Sequence, residues 1–463
     1  MAHRFWPHVG ILMASERQKR TKRDLKMAKK NIYDKQLIYT ILRNWSDWAI
    51  RFSYRKAEIK GKDKLPKDGA LIVCPNHCNT LMDALVMLRA HKKETVFGAR
   101  ADLFRKRFIA KIMYFLRILP MVRQRDGLRN VLQNNKTQEV IVATLKHNVR
   151  FCLFPEGTHR TKHSLQTLGK GAFRIALAAK EDFGGEKPIY LVPVGIEYGD
   201  YFRYHSTSLV NYGEAINVTE FLKSGNFENE PQAIDALRKE LTERMKGLIT
   251  YIPADENYEA KWALVKMAAV YKSRKCYGDF GRSLYKSMLK NREIAERIEE
   301  KMEKKPEKMA SILERVSSFD AERKAKGISI FSFRKKKPLV NVIMKGLNAL
   351  IGLPYFLFSA VTSLPMWLAS MKIRSIVKDP AFRNTISFGI KLGLGTILFI
   401  LYTTLAFCLA PWWLALILIL LWIPSYSYFH DYIEACRRWV SDIRLLKNKK
   451  LYKEFKSIMK DFA

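Results

Sequence analysis

Ala70-Leu71-Ile72-Val73-Cys74-Pro75-Asn76-His77, followed by Cys78-Asn79-Thr80-Leu81-Met82-Asp83, is the stretch whose reading decides the fold. An unbroken apolar run of this length reads as a strand covered on both faces, as in sheets that carry helices on each side. Thr80 to Ala90 then switches to helical spacing. A strand passing directly into a helix is the βα unit of an α/β layer, and ligand sites of such layers gather beyond the carboxyl ends of the strands. Asn76 and His77 stand at that end.

Working outward, a second apolar run, Val149 to Phe154, opens onto Pro155-Glu156-Gly157-Thr158-His159-Arg160. Further strand candidates are Thr95 to Ala99, Ile189 to Ile196 and Ser208 to Tyr212, with helices over Phe108 to Leu116, Asn135 to Leu145 and Gly171 to Lys180. The alternation predicts a mixed, largely buried sheet flanked by helices over 61–220. Upstream, Leu37, Ile38, Ile41, Leu42, Trp45, Trp48, Ala49 and Phe52 recur at helical spacing within 36–60. Such a stripe packs on the following domain or lies in a headgroup layer. Residues 1–35 read as a basic disordered tail without a secretory signal, and 221–335 as charged helices with no evident chemistry.

The 463 residues exceed one typical domain, and 82 Lys and Arg against 44 acidic residues give a net charge of +38. That balance points to polyanions: nucleic acid, anionic membrane or phosphorylated substrate. The apolar segment 336–432 excludes a simple nucleic-acid binder, and no nucleic-acid module is recognisable. Six cysteines (74, 78, 152, 276, 408 and 436) are scattered, which implies neither a disulfide framework nor a zinc site.

Thr385 to Leu409 and Pro411 to Tyr428 are each close to the roughly 20 apolar residues that a crossing needs, so they predict a transmembrane hairpin. Leu339 to Met371 is interrupted by Pro354 and Pro365, which predicts a re-entrant helical hairpin. Arg334 to Lys337, Lys372 to Arg383 and the basic tail 433–463 are all cationic, hence cytoplasmic, so each apolar segment must cross an even number of times. An integral membrane protein with its catalytic part facing the cytoplasm follows.

Imidazole is the usual general base for a hydroxyl, and a carboxylate fixes its tautomer. His77 and Asp83 can form such a pair, although Thr80 and Asp83 also read as a helix capping box. Glu156 at a sheet edge can accept a hydrogen bond, Gly157 permits close backbone approach, and His159, Arg160 and Lys162 supply positive charge for a phosphate.

Together these blocks resemble the glycerolipid acyltransferase family. Its Asn-His with a downstream Asp is matched by Asn76, His77 and Asp83. A hydrophobic-Pro-hydrophobic run ending in Arg is matched by Ile118 to Arg123, Phe-Pro-Glu-Gly-Thr by 154–158, and Val-Pro-Val by Val192-Pro193-Val194. The resemblance implies transfer of a fatty acyl group from acyl-CoA or an acyl-carrier protein to glycerol 3-phosphate or its 1-acyl derivative. It implies His77 as base and Asp83 as its orienting partner. Asn76, Arg123, Glu156, Gly157, Thr158, His159, Arg160 and Pro193 would bind substrate, with Arg123 on the phosphate and Pro193 on the acyl chain. No metal, other cofactor or covalent acyl-enzyme is implied. Five residues separate His77 from Asp83 where most of the family has four, and His159 stands where Arg is usual. Both features are similar to the fungal-type glycerol-3-phosphate and dihydroxyacetone-phosphate acyltransferases. The alternatives are another lipid alcohol or amine as acceptor, or a non-enzymatic, membrane-tethered basic scaffold.

Overall fold

Apolar runs too long for one-sided burial assemble side by side at the centre of an eight-stranded sheet, in the order β1-β7-β6-β2-β5-β3-β4, with β8 also paired to β6. The computed structural model describes residues 31–91, 93–122, 131–272, 283–334, 338–377 and 379–463, and only the backbone of 131–134. Arg123, Cys276, most of the amino-terminal tail and Lys335 to Lys337 lie outside the described residues. The strands are β1 (Lys56–Lys60), β2 (Ala70–Pro75), β3 (Thr95–Arg100), β4 (Ile118–Met121), β5 (Arg150–Cys152), β6 (Ile189–Tyr198), β7 (Thr207–Tyr212) and β8 (Ile216–Asn217). From β6 through β2, β5 and β3 to β4 every pairing is parallel. β7 and β8 run antiparallel to β6, so the sheet is mixed as expected.

α1 (Leu37–Ser53) and α2 (Thr80–Ala90) cover one face, where Val73, Met82, Val194 and Ile196 share a core. α4 (Val131–Lys146) and α5 (Gly171–Phe183) cover the other, and α3 (Arg107–Phe115) leads into β4. α6 (Val218–Ser224) and α7 (Glu230–Lys246) follow, and Ile234, Leu237, Leu241 and Met245 of α7 join this second core. The α/β layer therefore runs past the expected boundary at 220, because α7 supplies apolar cover that the sheet would otherwise lack.

Three other boundaries are corrected. The helix expected over 36–60 ends at Ser53, and Lys56 to Lys60 is an edge strand whose buried residue is Glu58. That carboxylate accepts from Ser283 Oγ (2.8 Å) and Leu284 N (2.6 Å). Burial pushes its pKa up, but these bonds and Lys56 outweigh it and hold the group below the usual range. Residues 31–35, expected to be disordered, pack instead: Ile32 and Tyr33 lie against the core and Tyr33 stacks on His147 at 4.1 Å. The basic tail 433–463 is helical and packed rather than a separate tail. Its helix closes a bundle with α8 (Tyr258–Lys272), α9 (Leu284–Lys304) and α10 (Pro306–Ala325), because Leu451, Phe455, Ile458, Met459 and Phe462 form one apolar face.

Between α10 and that closing helix lie α11 (Pro338–Ile376), α12 (Arg383–Leu392), α13 (Leu394–Leu409) and α14 (Trp412–Lys447), with α15 (Lys449–Phe462) as the closing helix. By length and composition, three stretches (Pro338–Ile376, Pro380–Leu409 and Trp412–Lys447) are long and apolar enough to cross a membrane. The expected pair of helices over 339–371 is in fact one helix with both prolines inside it. Contacts nevertheless show it changing direction. Val342, Ala349 and Gly352 accept from Trp439, Tyr432 and Tyr428 of α14, whereas Thr362 accepts from Tyr402 of α13 and Arg374 donates to Ser387 of α12. Its first half is thus antiparallel to α14 and its second to α12 and α13. Phe429 touches both Phe356 and Trp367. Proline removes a backbone donor and bends a helix, which fits a turn in this region.

Both ends of α11 meet the globular part. Near its start, Lys345 pairs with Asp442 at 2.8 Å, and Asp442 accepts from Ser332 of the bundle. Just past its end, Ala381 and Thr385 meet Thr80 of α2. Both ends of α11 therefore lie against the globular part.

Candidate active site

The parallel pairing of β2 with β5 puts Ile72 opposite Phe151 and Val73 opposite Cys152, so both strands deliver their carboxyl ends to one place. From β2 the chain emerges as Asn76-His77 and from β5 as Phe154-Pro155-Glu156-Gly157. The two corners are bonded to each other: His77 N donates to Glu156 Oε1 at 2.8 Å. Glu156 Oε2 accepts from Gln166 N at 2.9 Å, so both carboxylate oxygens hold backbone. Burial raises the Glu156 pKa, while those two N–H groups oppose the rise. Glu156 thus acts as a brace between the two corners. Gly157 makes the turn at φ +68, a conformation that costs glycine little.

His77 Nδ1 lies 2.8 Å from Asp83 Oδ2. Asp83 is fully buried, and the His77 side chain retains 18% of its exposure. The same Oδ2 accepts from Cys78 N (2.8 Å) and Asn79 N (2.7 Å), and Oδ1 accepts from Tyr198 OH (2.8 Å). Burial and then Asp83 push the Tyr198 phenol well above its ordinary value, so it remains a donor. Within the five-residue connection from His77 to Asp83, at the start of α2, Thr80 takes φ +48. That conformation is rare for a β-branched residue and costs of order 1–3 kcal/mol. Thr80 does not cap the helix: Asn79 occupies the cap position, and Asp83 reaches back to its N–H. The capping-box reading therefore fails for Thr80, and the carboxylate secures the helix start and the imidazole together.

With Nδ1 committed to Asp83, Nε2 is the nitrogen left for a ligand. Phe154 stacks on the ring at a centroid distance of 4.4 Å and fixes its plane. Cys78, beside it, is no substitute nucleophile. Burial, followed by the neighbouring Asp83, lifts its thiol well above 9, and thiolate is the reactive form.

The other expected site residues divide. Asn76 exchanges two bonds with Ile196, through Nδ2 (3.2 Å) and Oδ1 (2.6 Å), and locks β2 to β6. Thr158 bonds Gln166 through its hydroxyl and carbonyl. Arg160 N donates to His77 O at 3.0 Å, but its guanidinium turns into its own loop, to Ser164 Oγ (2.8 Å) and Leu165 O. His159 stands beside the base, with ring centroids 5.7 Å apart. Pro193 is not brought to the site. Strand alternation puts it on the face of β6 opposite Val192 and Val194, where it lies by Gly213 and Leu248.

Sequence reasoning missed Tyr198, whose even-looking apolar strand gave no sign that a phenol points to Asp83. It also missed Asp379, whose Oδ2 lies 3.2 Å from His159 Nε2 across 220 residues of chain.

Six chains among solved structures match, including the crystal structure of the 1-acyl-sn-glycerophosphate (LPA) acyltransferase PlsC from Thermotoga maritima. That structure shares 19% identity, with 46% of this chain and 78% of that chain covered at a TM-score of 0.33. The acyltransferase family model matches residues 56–197, a segment that begins at β1, finishes in β6 and includes His77, Asp83 and Glu156. The segment that builds the His77 corner is therefore the part of the chain that is similar to acyltransferases.

Proposed function

We propose that this chain is a membrane-embedded O-acyltransferase. It moves a fatty acyl group from a CoA or carrier-protein thioester to a hydroxyl of glycerol 3-phosphate or 1-acylglycerol 3-phosphate. The observation that carries the reading is the 2.8 Å contact of His77 Nδ1 with a fully buried carboxylate, which leaves Nε2 turned away from it. The likeness of residues 56–197 to acyltransferases supplies the reaction class.

Nε2 takes the proton of the acceptor hydroxyl as its oxygen attacks the thioester carbonyl. Asp83 stabilises the charge that the ring acquires and keeps Nδ1 as the donor. The tetrahedral intermediate collapses with loss of the C–S bond. The leaving sulfur takes the proton back from Nε2, giving ester, free thiol and neutral imidazole. Holding acceptor and thioester in register supplies much of the remaining acceleration.

The test is His77→Gln in membranes, assayed with labelled acyl thioester and each acceptor. Turnover falls about 10²–10⁴-fold, the range expected when a positioned base is lost. Undiminished transfer by that variant would refute the assignment. Transfer to neither phosphorylated acceptor by the unmodified chain would refute the acceptor class.

A further inference from the structure

Beyond residues 56–197, a carboxylate of the membrane module reaches the His77 corner. We propose that the turn between α11 and α12 forms a wall of the acceptor pocket. On it, Asp379 is a positioning residue that aims His159 at the phosphate of the acceptor. The inference rests on the acyl-transfer reading above and adds to it a part of the site contributed by the membrane helices.

The His159 ring is confined on three sides. Asp379 Oδ2 takes Nε2 at 3.2 Å, Phe382 stands edge-on at 5.9 Å and 89°, and the His77 ring lies at 5.7 Å. Asp379 is itself fixed, since its Oδ1 accepts from Ala381 N at 2.9 Å. The turn is fastened to the catalytic layer on both sides of that point. Thr80 Oγ1 bonds Ala381 O (3.3 Å) and Thr385 Oγ1 (3.0 Å), and Asn384 Nδ2 donates to Tyr201 O (2.6 Å). Thr80 lies in the connection between His77 and Asp83, so the turn abuts the same strained backbone that carries the base.

Nδ1 is then the ring nitrogen of His159 free to meet a ligand, beside the atom that would be acylated. The neighbouring Arg160 is directed at Ser164 and Leu165 instead. An arginine at position 159 would bring a permanent charge on a long arm. An imidazole is shorter, and with Nε2 held by Asp379 only Nδ1 is left, a donor to phosphate in the protonated ring; its direction must be set from outside, and Asp379 sets it.

The experiment uses the full chain in lipid membranes, with acyl thioester and 1-acylglycerol 3-phosphate. Asp379→Asn raises the KM for the phosphorylated acceptor about three- to tenfold, the scale of one charge-assisted contact. Its kcat and donor KM stay within about twofold, which separates binding from chemistry. Asp379→Glu restores part of the loss. In a His159→Gln background, Asp379→Asn adds nothing further, because the partner that it acts through is gone. An equal loss in both backgrounds, or a loss confined to kcat, overturns the proposal by showing that Asp379 only holds the turn. Equilibrium binding of the same acceptor is measured in parallel. A chain that binds it in an Asp379-dependent manner but transfers no acyl group contradicts the acyl-transfer reading and upholds this one.

Discussion

Replacing Asp83 by asparagine removes a charge while sparing the hydrogen-bond pattern, and the structure shows why. The Asn carbonyl can occupy the position of Oδ2 and still accept from His77 Nδ1 and from the N–H groups of Cys78 and Asn79. Its NH2 then faces Tyr198 OH, which can turn from donor to acceptor. No backbone N–H is stranded. What disappears is the charge-assisted part of these bonds, about half the strength of each. Stability should fall by only about 1–3 kcal/mol. Catalysis suffers more, because the ring must carry a proton without a counter-charge, a loss of about 3–5 kcal/mol or 10²–10⁴ in kcat. Alanine is the contrasting variant. It leaves two backbone N–H groups and a phenol without partners at about 1–3 kcal/mol each, a sum near the stability of a whole domain. Thiol release from the donor, measured on folded, membrane-resident protein, distinguishes the two. If Asp83→Asn kept more than about a tenth of wild-type kcat, the carboxylate would not be part of the base and the mechanism would be wrong.

Two further outcomes are expected. Glu156→Gln must set an amide NH2 against either His77 N or Gln166 N, so stability should drop by about 1–3 kcal/mol and turnover with it; an unchanged melting temperature would contradict the bracing role. His91, fully buried at the end of α2, accepts from Arg150 at Nδ1, and burial followed by Arg150, Lys62 and Arg43 lowers its pKa from 6.5 to about 3. The unfolded chain therefore binds a proton that the folded one refuses. Stability is full above pH 6.5 and falls as the pH drops toward 3, by about 1.4 kcal/mol per unit. His91→Gln should flatten that slope in denaturation measured between these limits, and an unaltered slope would count against it.

The sheet and the contact between His77 and Asp83 were legible because their signals are local. Ala70 to Pro75 is apolar without a break, Thr80 to Ala90 changes period at once, and Asn76 to Asp83 fits within one strand-to-helix turn. What was not legible depends on partners distant in sequence. Lys56 to Lys60 looks charged because its inward residue, Glu58, is satisfied by Ser283 and Leu284 more than 200 positions later. β4 contains Pro120 and reads as a motif, though a proline is tolerated on an edge strand. Glu156 was expected to hold substrate, because nothing local reveals that His77 and Gln166 take both its oxygens. The two prolines of α11 were read as breaks, whereas the surrounding helices keep the segment helical around its bend.

The bundle closed by α15 has a consequence for biogenesis. Phe319 and Phe333 cannot meet Phe455 until the ribosome has made every intervening residue, including α11 to α14. The nascent bundle is therefore an unfinished clasp, left open until α15 has been made. It can snap shut only where α15 can reach its open face. A chain whose last helix is kept away would leave Ile312, Val316 and Phe319 uncovered, and this would mark the product for quality control before any substrate is encountered.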